Sequence, residues 1–350
     1  MLEYTSTIDL RAAVKLIRET DGSIVVLTHA KPDGDGFGAV VAMTAALKAY
    51  RKQVTACVVP PVPVNLMELR GNDLLEIYDG SQQLHNASLY IVLDTGAWSQ
   101  VGPLCEVIEQ NLSRVLIVDH HLSGDIDAAY RLIDGNAAAC CEIVAELIEL
   151  LLQREEDRSV LLPVIYENLF VGIASDTGWF RFSNTRPQTH ELAAKLLRHG
   201  VDHSSLYRQL EQAERPEKLS LLIHALDSLK MIAGGRAAIM TLRSEDFIET
   251  GALEEETERL IDIPQQVDTI RVIVLISEKK QLAEDSDRVV TRLSFRSKPG
   301  PNAINVAELA ARFGGGGHAR AAGATVDAPV DQVIDQVTEL LNEAAAFHII

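Results

Sequence analysis

"SIVVLTHAKPDGDGFGAVVAMTAALKAY", residues 23–50, reads as a strand, a turn and a helix in immediate succession. Residues 23–28 are a mostly aliphatic run without polar alternation, the pattern of a strand buried on both faces. Residues 38–50 space their apolar side chains as a helix does and are rich in helix formers. Between them Asp33 and Asp35 stand two residues apart, close to His29. Two like charges at the end of a buried strand repel, and nothing in the neighbouring sequence relieves them. A cation from outside would.

The same arrangement recurs downstream. "VTACVV" (54–59), "SLYIVLDTG" (88–96) and "RVLIVDHH" (114–121) are further strand-like runs, separated by helical patterns. Continuous aliphatic strands alternating with helices predict a mainly parallel sheet flanked by helices. Three of the runs finish in acids or imidazoles: His29/Asp33/Asp35, Asp94, and Asp119/His120/His121. In open α/β sheets, sites form outside the carboxyl ends of the strands, so these groups can meet although they lie far apart in sequence.

Residues 137–212 read as mostly helical, with one helix over 187–200 that starts at Pro187 and stops at Gly200. Residues 213–230 read as a polar start followed by a helix. After about 235, strand patterns at 236–242, 270–278 and 288–297 alternate with helical ones at 304–313 and at the C-terminus. The expectation is an α/β protein with a catalytic domain over 1–212, a helical linker over 213–234 and a smaller α/β domain over 235–350.

Composition bounds the function. Of 350 residues, 47% are hydrophobic and 23% charged, which is ordinary for a globular protein. The formal net charge of −18 disfavours long duplex nucleic acid, whose binding comes mostly from phosphate neutralisation by Lys and Arg. It leaves room for a short or mononucleotide ligand in a local basic pocket. No apolar run reaches the roughly 18 to 20 residues that span a bilayer, and the charged N-terminus reads as an amphipathic helix. Cys57, Cys105, Cys140 and Cys141 form no C-x-x-C pair and read as reduced thiols of a cytoplasmic protein.

His29, Asp33, Asp35, Asp94, His120 and Asp176, the last in "ASDTGWF", make four carboxylates and two imidazoles. Gathered without a cation, they would hold several pKa values far from ordinary. Two divalent ions cancel that repulsion. Mixed Asp/His ligation suits Mn²⁺ better than Ca²⁺, with Mg²⁺ or Co²⁺ as substitutes. Such a pair clamps a phosphoryl group and activates water. Singly, "KPDGDG" is a common surface turn, Asp94 a helix cap, and a lone histidine a structural residue. The loop is not an EF-hand, since the third acid and closing Glu are absent. An aliphatic strand ending in Asp119, His120 and His121 has no packing reason to do so.

"HAKPDGDGFGA" (29–39), "LDTG" (93–96), "VDHH" (118–121) and "ASDTGWFRFSNT" (174–185), in that order, resemble the four motifs of the DHH phosphoesterases. "RSKPGPNAINVAELAARFGGGGHARAAGA" (296–324) resembles the glycine-rich motif of the DHH-associated C-terminal domain. The nearest branch is that of the NrnA-like oligoribonuclease/PAP phosphatases. The resemblance implies that His29 and Asp33 bind one Mn²⁺, that Asp35, His120 and Asp176 bind the other, and that Asp94 bridges both. It implies that Asp119 orients a ligand imidazole, and that His121 faces the phosphate and stabilises or protonates the leaving oxygen. The nucleophile would be a metal-bridging hydroxide. One departure is Gln100 and Val101, where this branch often has Arg-Leu; that puts the substrate contact of the missing Arg in question.

In the second domain, Gly314, Gly315, Gly316 and Gly317 precede His318 and Arg320, with Arg296 in the strand before them. Such a run is a flexible linker or a backbone that approaches phosphate closely. The resemblance implies that these glycines, His318, Arg320 and Arg296 hold the nucleotide end distal to the metals. Arg292 and Lys298 lie near; Lys298 reads as a solvated strand residue. A grip at both ends favours ligands of two to five nucleotides. The expected activity is metal-dependent hydrolysis of short RNA or DNA oligonucleotides to mononucleotides, with 3′-phosphoadenosine-5′-phosphate as a second substrate. The alternatives are a cyclic-dinucleotide or linear pApA phosphodiesterase and, in another class, a non-catalytic nucleotide sensor. No membrane partner is expected. A homodimer is left open, and Trp98, Trp179 and Arg181 have no decided role.

Overall fold

The computed structural model describes residues 4–82, 84–153, 160–283, 286–298, 300 and 303–346. The chain divides into two compact units, Met1–Ala213 and Glu214–Ile350.

The first unit is built on strands β1 (Ser23–Thr28), β2 (Gln53–Val58), β3 (Glu76–Ile77), β4 (Leu89–Leu93), β5 (Val115–Asp119) and β6 (Tyr130–Ile133). They form one sheet in the order β3-β2-β1-β4-β5-β6, with every neighbouring pair parallel. The helices are α1 (Leu10–Glu19), α2 (Gly34–Ala49), α3 (Val64–Met67), α4 (Trp98–Val101), α5 (Cys105–Glu109), α6 (Cys140–Leu152), α7 (Leu162–Asp176), α8 (Pro187–Arg198) and α9 (His203–Glu211). Val26, Ile91 and Val118 pack on one face of the sheet with α1, α2, α6 and α7. Val25, Val92 and Ile117 pack on the other face with α5. Burial on both faces is why these strands show no polar alternation. The edge strands β3 and β6 are short and carry no such run, so the sequence pattern does not reveal them.

The second unit begins with α10 (Pro216–Asp227), followed by β7 (Lys230–Ile232), β8 (Ala237–Leu242), α11 (Ser244–Thr250), β9 (Val272–Ala283), β10 (Ser286–Ser297), α12 (Val306–Ala311), β11 (Gly316–His318), β12 (Ala321–Val326) and α13 (Val330–Ala346). Its sheet runs β11-β12-β10-β9-β8-β7. The pair β8–β9 is parallel and the other pairs are antiparallel. Helices α12 and α13 cover one face. Leu221 and Ala225 of α10 pack against Ala238 and Met240 on the other. Part of the glycine run is therefore not a loop: Gly316 and Gly317 pair with Gly323 and Ala322 in an edge strand. Among the described residues, no helix is long and apolar enough to cross a membrane.

Candidate metal centre

The strands β1, β4 and β5 are adjacent and parallel, so their carboxyl ends open side by side. Immediately beyond β1 comes His29, and then α2. The helix begins at Gly34, four residues before the start expected from its apolar spacing. Its N-cap is Asp33, whose Oδ1 accepts the N–H of Asp35 at 3.0 Å and of Gly36 at 3.1 Å. Gly34, which reads as part of a turn, instead serves packing: a Cβ there would lie 2.3 Å from the Ser175 hydroxyl oxygen in α7. A Cβ at Gly38 would lie 2.4 Å from the Asn168 carbonyl oxygen in α7. Without one, α2 and α7 approach closely, and Asp176 at the end of α7 reaches the first turn of α2. "KPDGDG" is therefore no surface turn, and Asp35 is fully buried.

Beyond β4, Asp94 takes the left-handed backbone conformation with φ +61°. Asp adopts it more readily than most side chains, at some cost in strain. Its carboxylate is buried in the middle of the cluster. Asp94 Oδ2 lies 3.6 Å from His29 Nε2, and its Oδ1 lies 3.4 Å from His120 Nε2. His29 Nε2 is 3.7 Å from Asp33. His120 Nε2 is 3.2 Å from Asp176 and 4.0 Å from Asp35. The six side chains singled out from the sequence thus meet in one place. They fall into the sets His29/Asp33/Asp94 and Asp35/His120/Asp176, each with donor atoms within 4.8 Å of one another. Asp94, His120 and His121 form a third such set.

The imidazoles are oriented by backbone. His29 Nδ1 faces the Ala30 carbonyl at 3.1 Å, and His120 Nδ1 faces that of Ala137 at 3.3 Å. Each ring thereby turns Nε2 inward, as a ligand needs. Electrostatics describe an overcrowded anionic cavity. Burial works against charging His29, but hydrogen bonds and charge from Asp33 and Asp94 overturn this and hold it up at about 10. Burial likewise opposes charge on His120, and Asp94, Asp35 and Asp176 lift it to about 10. Burial and the charge of Asp94 push Asp176 up to about 7 and Asp35 well above the ordinary range. Oδ1 of Asp94 is buried with no hydrogen-bond partner. A buried acceptor without a donor, at the junction of two Asp/His donor sets, is what a divalent cation would satisfy. The donor chemistry fits Mn²⁺ or a similar borderline ion.

Asp35 has a further support. Its two oxygens accept the backbone N–H groups of Cys140 at 2.5 Å and Cys141 at 3.0 Å, so the N-terminus of α6 holds the carboxylate. The four cysteines are free thiols, and burial pushes those of Cys140 and Cys141 up.

The His120 ring rests on the Ala137 carbonyl, while Asp119 faces His121. Its Oδ1 faces Nδ1 of His121 at 2.7 Å and accepts the N–H groups of His120 and His121 at 2.8 and 3.1 Å. The side chain of His121 is 45% exposed. Sequence reasoning missed Tyr4, whose hydroxyl donates to Asp119 Oδ2 at 2.5 Å. No local signal ties residue 4 to residue 119.

In the second unit, strand register sorts the basic residues. Arg296 stands opposite Ala321, which stands opposite His318. Ser294, Gly323 and Gly316 form the next row. Directly paired residues share a face, so Arg296 and His318 flank a floor of small residues, with exposed Arg292 one row beyond Ser294. Gly317 has φ +142°, and a Cβ there would lie 2.6 Å from the Ala321 carbonyl, so the hairpin itself demands that glycine. Gly314 and Gly315 lead into the strand, and Arg320 lies in the exposed hairpin turn. Lys298 donates to the carbonyls of Val267 and Asp268 and so serves the fold.

The remaining positions settle locally. Gln100 accepts from the Thr95 hydroxyl at 2.6 Å, its carbonyl accepts the Ala30 N–H, and Val101 is fully buried. The pair that departs from Arg-Leu therefore braces the loops around Asp94 and His29. Trp179 packs edge-on to Phe170 and Tyr207 and donates to Glu211, while Trp98 packs beneath the sheet. Arg181 Nε donates to the Gly178 carbonyl and holds its own loop.

The family described as the DHH family, N-terminal domain, matches residues 23–173, and the DHHA1 domain matches residues 233–347. A bifunctional oligoribonuclease and PAP phosphatase NrnA of Thermus thermophilus is 28% identical, the alignment covering 95% of this chain and 94% of that protein. The protein of the same name from Bacillus subtilis is 26% identical, over 92% of this chain and 95% of that one. The crystal structure of an exopolyphosphatase-related protein from Bacteroides fragilis superposes with a TM-score of 0.83 at 21% identity, over 97% of this chain and 96% of that one. It shares the fold.

Proposed function

Residues 23–173 match the DHH family, N-terminal domain, and residues 233–347 the DHHA1 domain, and from that premise we propose that the protein is a metal-dependent phosphoesterase that hydrolyses short oligonucleotides to mononucleotides and 3′-phosphoadenosine-5′-phosphate to AMP. The observation that carries the reading is Asp94: a buried carboxylate with an unpartnered oxygen, shared by the donor sets His29/Asp33/Asp94 and Asp94/His120/His121. The relatives named as oligoribonuclease and PAP phosphatase, alike over nearly their whole lengths, support the substrate class.

His29 and Asp33 would hold one cation, Asp35, His120 and Asp176 the other, and Asp94 would serve both. Two Mn²⁺ ions in such a centre neutralise phosphoryl charge and bring water toward ionisation near neutral pH. The chain's own residues do the rest. The carbonyls of Ala30 and Ala137 fix the ligand imidazoles, and the N-terminus of α6 fixes Asp35. Asp119 turns His121 so that its exposed edge donates to the departing oxygen. Arg296 and His318, flanking the floor of small residues, would take the terminal phosphate, since a guanidinium fork matches phosphate bidentately. Arg320, Gly314, Gly315, Gly316 and Gly317 would complete that subsite.

Turnover of pApA, short RNA and adenosine 3′,5′-bisphosphate in Mn²⁺ tests the proposal, with cyclic-di-AMP and pyrophosphate as controls. The expected result is turnover of the first three, abolished by chelator and restored by Mn²⁺. Turnover confined to pyrophosphate, or unaffected by chelator, would overturn it.

A further inference from the structure

We propose that Tyr4 is a positioning residue for this hydrolysis: its hydroxyl locks Asp119, and through Asp119 the ring of His121, in the orientation that serves the departing ribose oxygen. The inference rests on the phosphoesterase reading above.

Residues ahead of α1 lie along the edge strand β6. Thr7 and Ile8 donate their N–H groups to the Arg131 carbonyl at 2.9 and 3.2 Å. Arg131 N–H donates back to the Thr7 hydroxyl at 2.8 Å, and Ser6 exchanges bonds with both backbone groups of Ile133. The strap is thus pinned by backbone, and it delivers Tyr4 to a prepared slot. A Cβ at Gly96 would lie 1.9 Å from the Tyr4 oxygen, and one at Gly124 would lie 2.4 Å from its ring. Those glycines sit just after Asp94 and His121, so one aromatic ring fills the space between the two loops that carry site residues.

The polar end of the ring completes an oriented chain. Asp119 is fully buried. Its Oδ1 is taken by the backbone and ring of His121 and the N–H of His120, and its Oδ2 by Tyr4. A carboxylate held at both oxygens cannot rotate, so Nδ1 of His121 is held and the other ring nitrogen stays free. Burial and the nearby Asp119 charge push the Tyr4 phenol far up, which keeps it a neutral donor. Removing the hydroxyl leaves one oxygen of a buried carboxylate without that donor and frees the plane of the carboxylate.

The test is Tyr4→Phe, which keeps the ring and removes the donor, with Gly124→Ala as a second variant that displaces the ring. Each is assayed with Mn²⁺ on a dinucleotide and on the p-nitrophenyl ester of a nucleoside 5′-monophosphate. Nitrophenolate departs without a hydrogen-bond donor, so it bypasses His121. We expect kcat on the dinucleotide to fall about tenfold or more in both variants, as loss of a hydrogen bond to a charged group implies. KM should stay within about twofold, and the nitrophenyl ester should be turned over at nearly the original rate. Equal losses on both substrates, or no loss on the dinucleotide, would overturn the proposal. A second readout needs no turnover. In metal-free protein, the hydrogen-bonded Nδ1 proton of His121 should be sharp by NMR and should broaden or vanish in Tyr4→Phe, with the His29 and His120 rings unmoved. If the original protein hydrolyses neither ester, the phosphoesterase reading fails and this signal alone decides the role of Tyr4; an unchanged signal would refute it.

Discussion

The backbone N–H of Cys140 donates to Oδ2 of Asp35 at 2.5 Å, so the first turn of α6 holds a carboxylate that belongs to the first turn of α2. Asp35 is kept in place by amide donors even without a cation, and its charge stays disfavoured by burial and by Asp94 and Asp176. The fold therefore gathers acidic side chains whose mutual repulsion the protein's own groups do not fully relieve.

Asp94 is the side chain common to the sets His29/Asp33/Asp94 and Asp94/His120/His121. Asp94→Ala should lower Mn²⁺-dependent turnover of pApA by about a thousandfold or more, since the metal effect and phosphate positioning go together. His120→Ala should do the same. Activity within tenfold of the original for either variant would remove the two-metal centre.

Metal binding should expel protons. With His29 and His120 held up at about 10 and Asp176 at about 7, the metal-free site carries protons at pH 7 that cations must displace. Calorimetry of Mn²⁺ binding in buffers of different ionisation enthalpy should show release of more than one proton and tighter apparent binding as pH rises. Buffer-independent heats would contradict this.

The same shifts set the stability of the metal-free protein. A group whose folded pKa is raised stabilises below its unfolded pKa, and loses that contribution as pH climbs through the folded value. For His29 and His120 the loss runs from about 6.5, their unfolded value, to about 10. The melting temperature without metal should therefore fall between pH 6.5 and 10, and Mn²⁺ should flatten the curve. A metal-free melting temperature that is constant or rising over that window would refute the expectation.

Asp176 should trade stability for function. Burial and Asp94 disfavour its charge, so Asp176→Asn should raise the metal-free melting temperature at pH 8 by a few degrees while lowering turnover about a hundredfold or more. Thermal scans paired with assays check both halves, and a lower melting temperature would count against burial and Asp94 as the source of the cost.

Arg296 lies in the second unit, where it should act on binding more than on chemistry. Arg296→Ala should raise KM for a dinucleotide about tenfold, with kcat within about threefold and the nitrophenyl nucleotide ester nearly unaffected. A loss confined to kcat would place Arg296 elsewhere in the reaction.

Much of the first unit is legible in the sequence because its signals are local. Aliphatic runs without alternation read as buried parallel strands, and the acids and imidazoles at their ends read as donors. The start of α2 is not legible. Gly34 and Gly36 look like a turn until Ser175 of α7 is seen pressing against Gly34. The glycine run at 314–317 looks like a loop because nothing local shows that Gly323 and Ala322 pair with part of it. Sequence adjacency does not say which imidazole Asp119 holds; in the fold it takes His121, while the Ala137 carbonyl takes His120.

The linear order of residues determined which candidate donors exist, that several follow strand ends, and that their like charges repel, because burial and like-charge repulsion follow from residue type and pattern. Only the tertiary structure decided which oxygen of Asp94 is left without a partner, which imidazole Asp119 turns, and that residue 4 reaches residue 119. Those are contacts between distant parts of the chain, set by how closely backbones approach, and close approach leaves no periodic trace in the residues that make it.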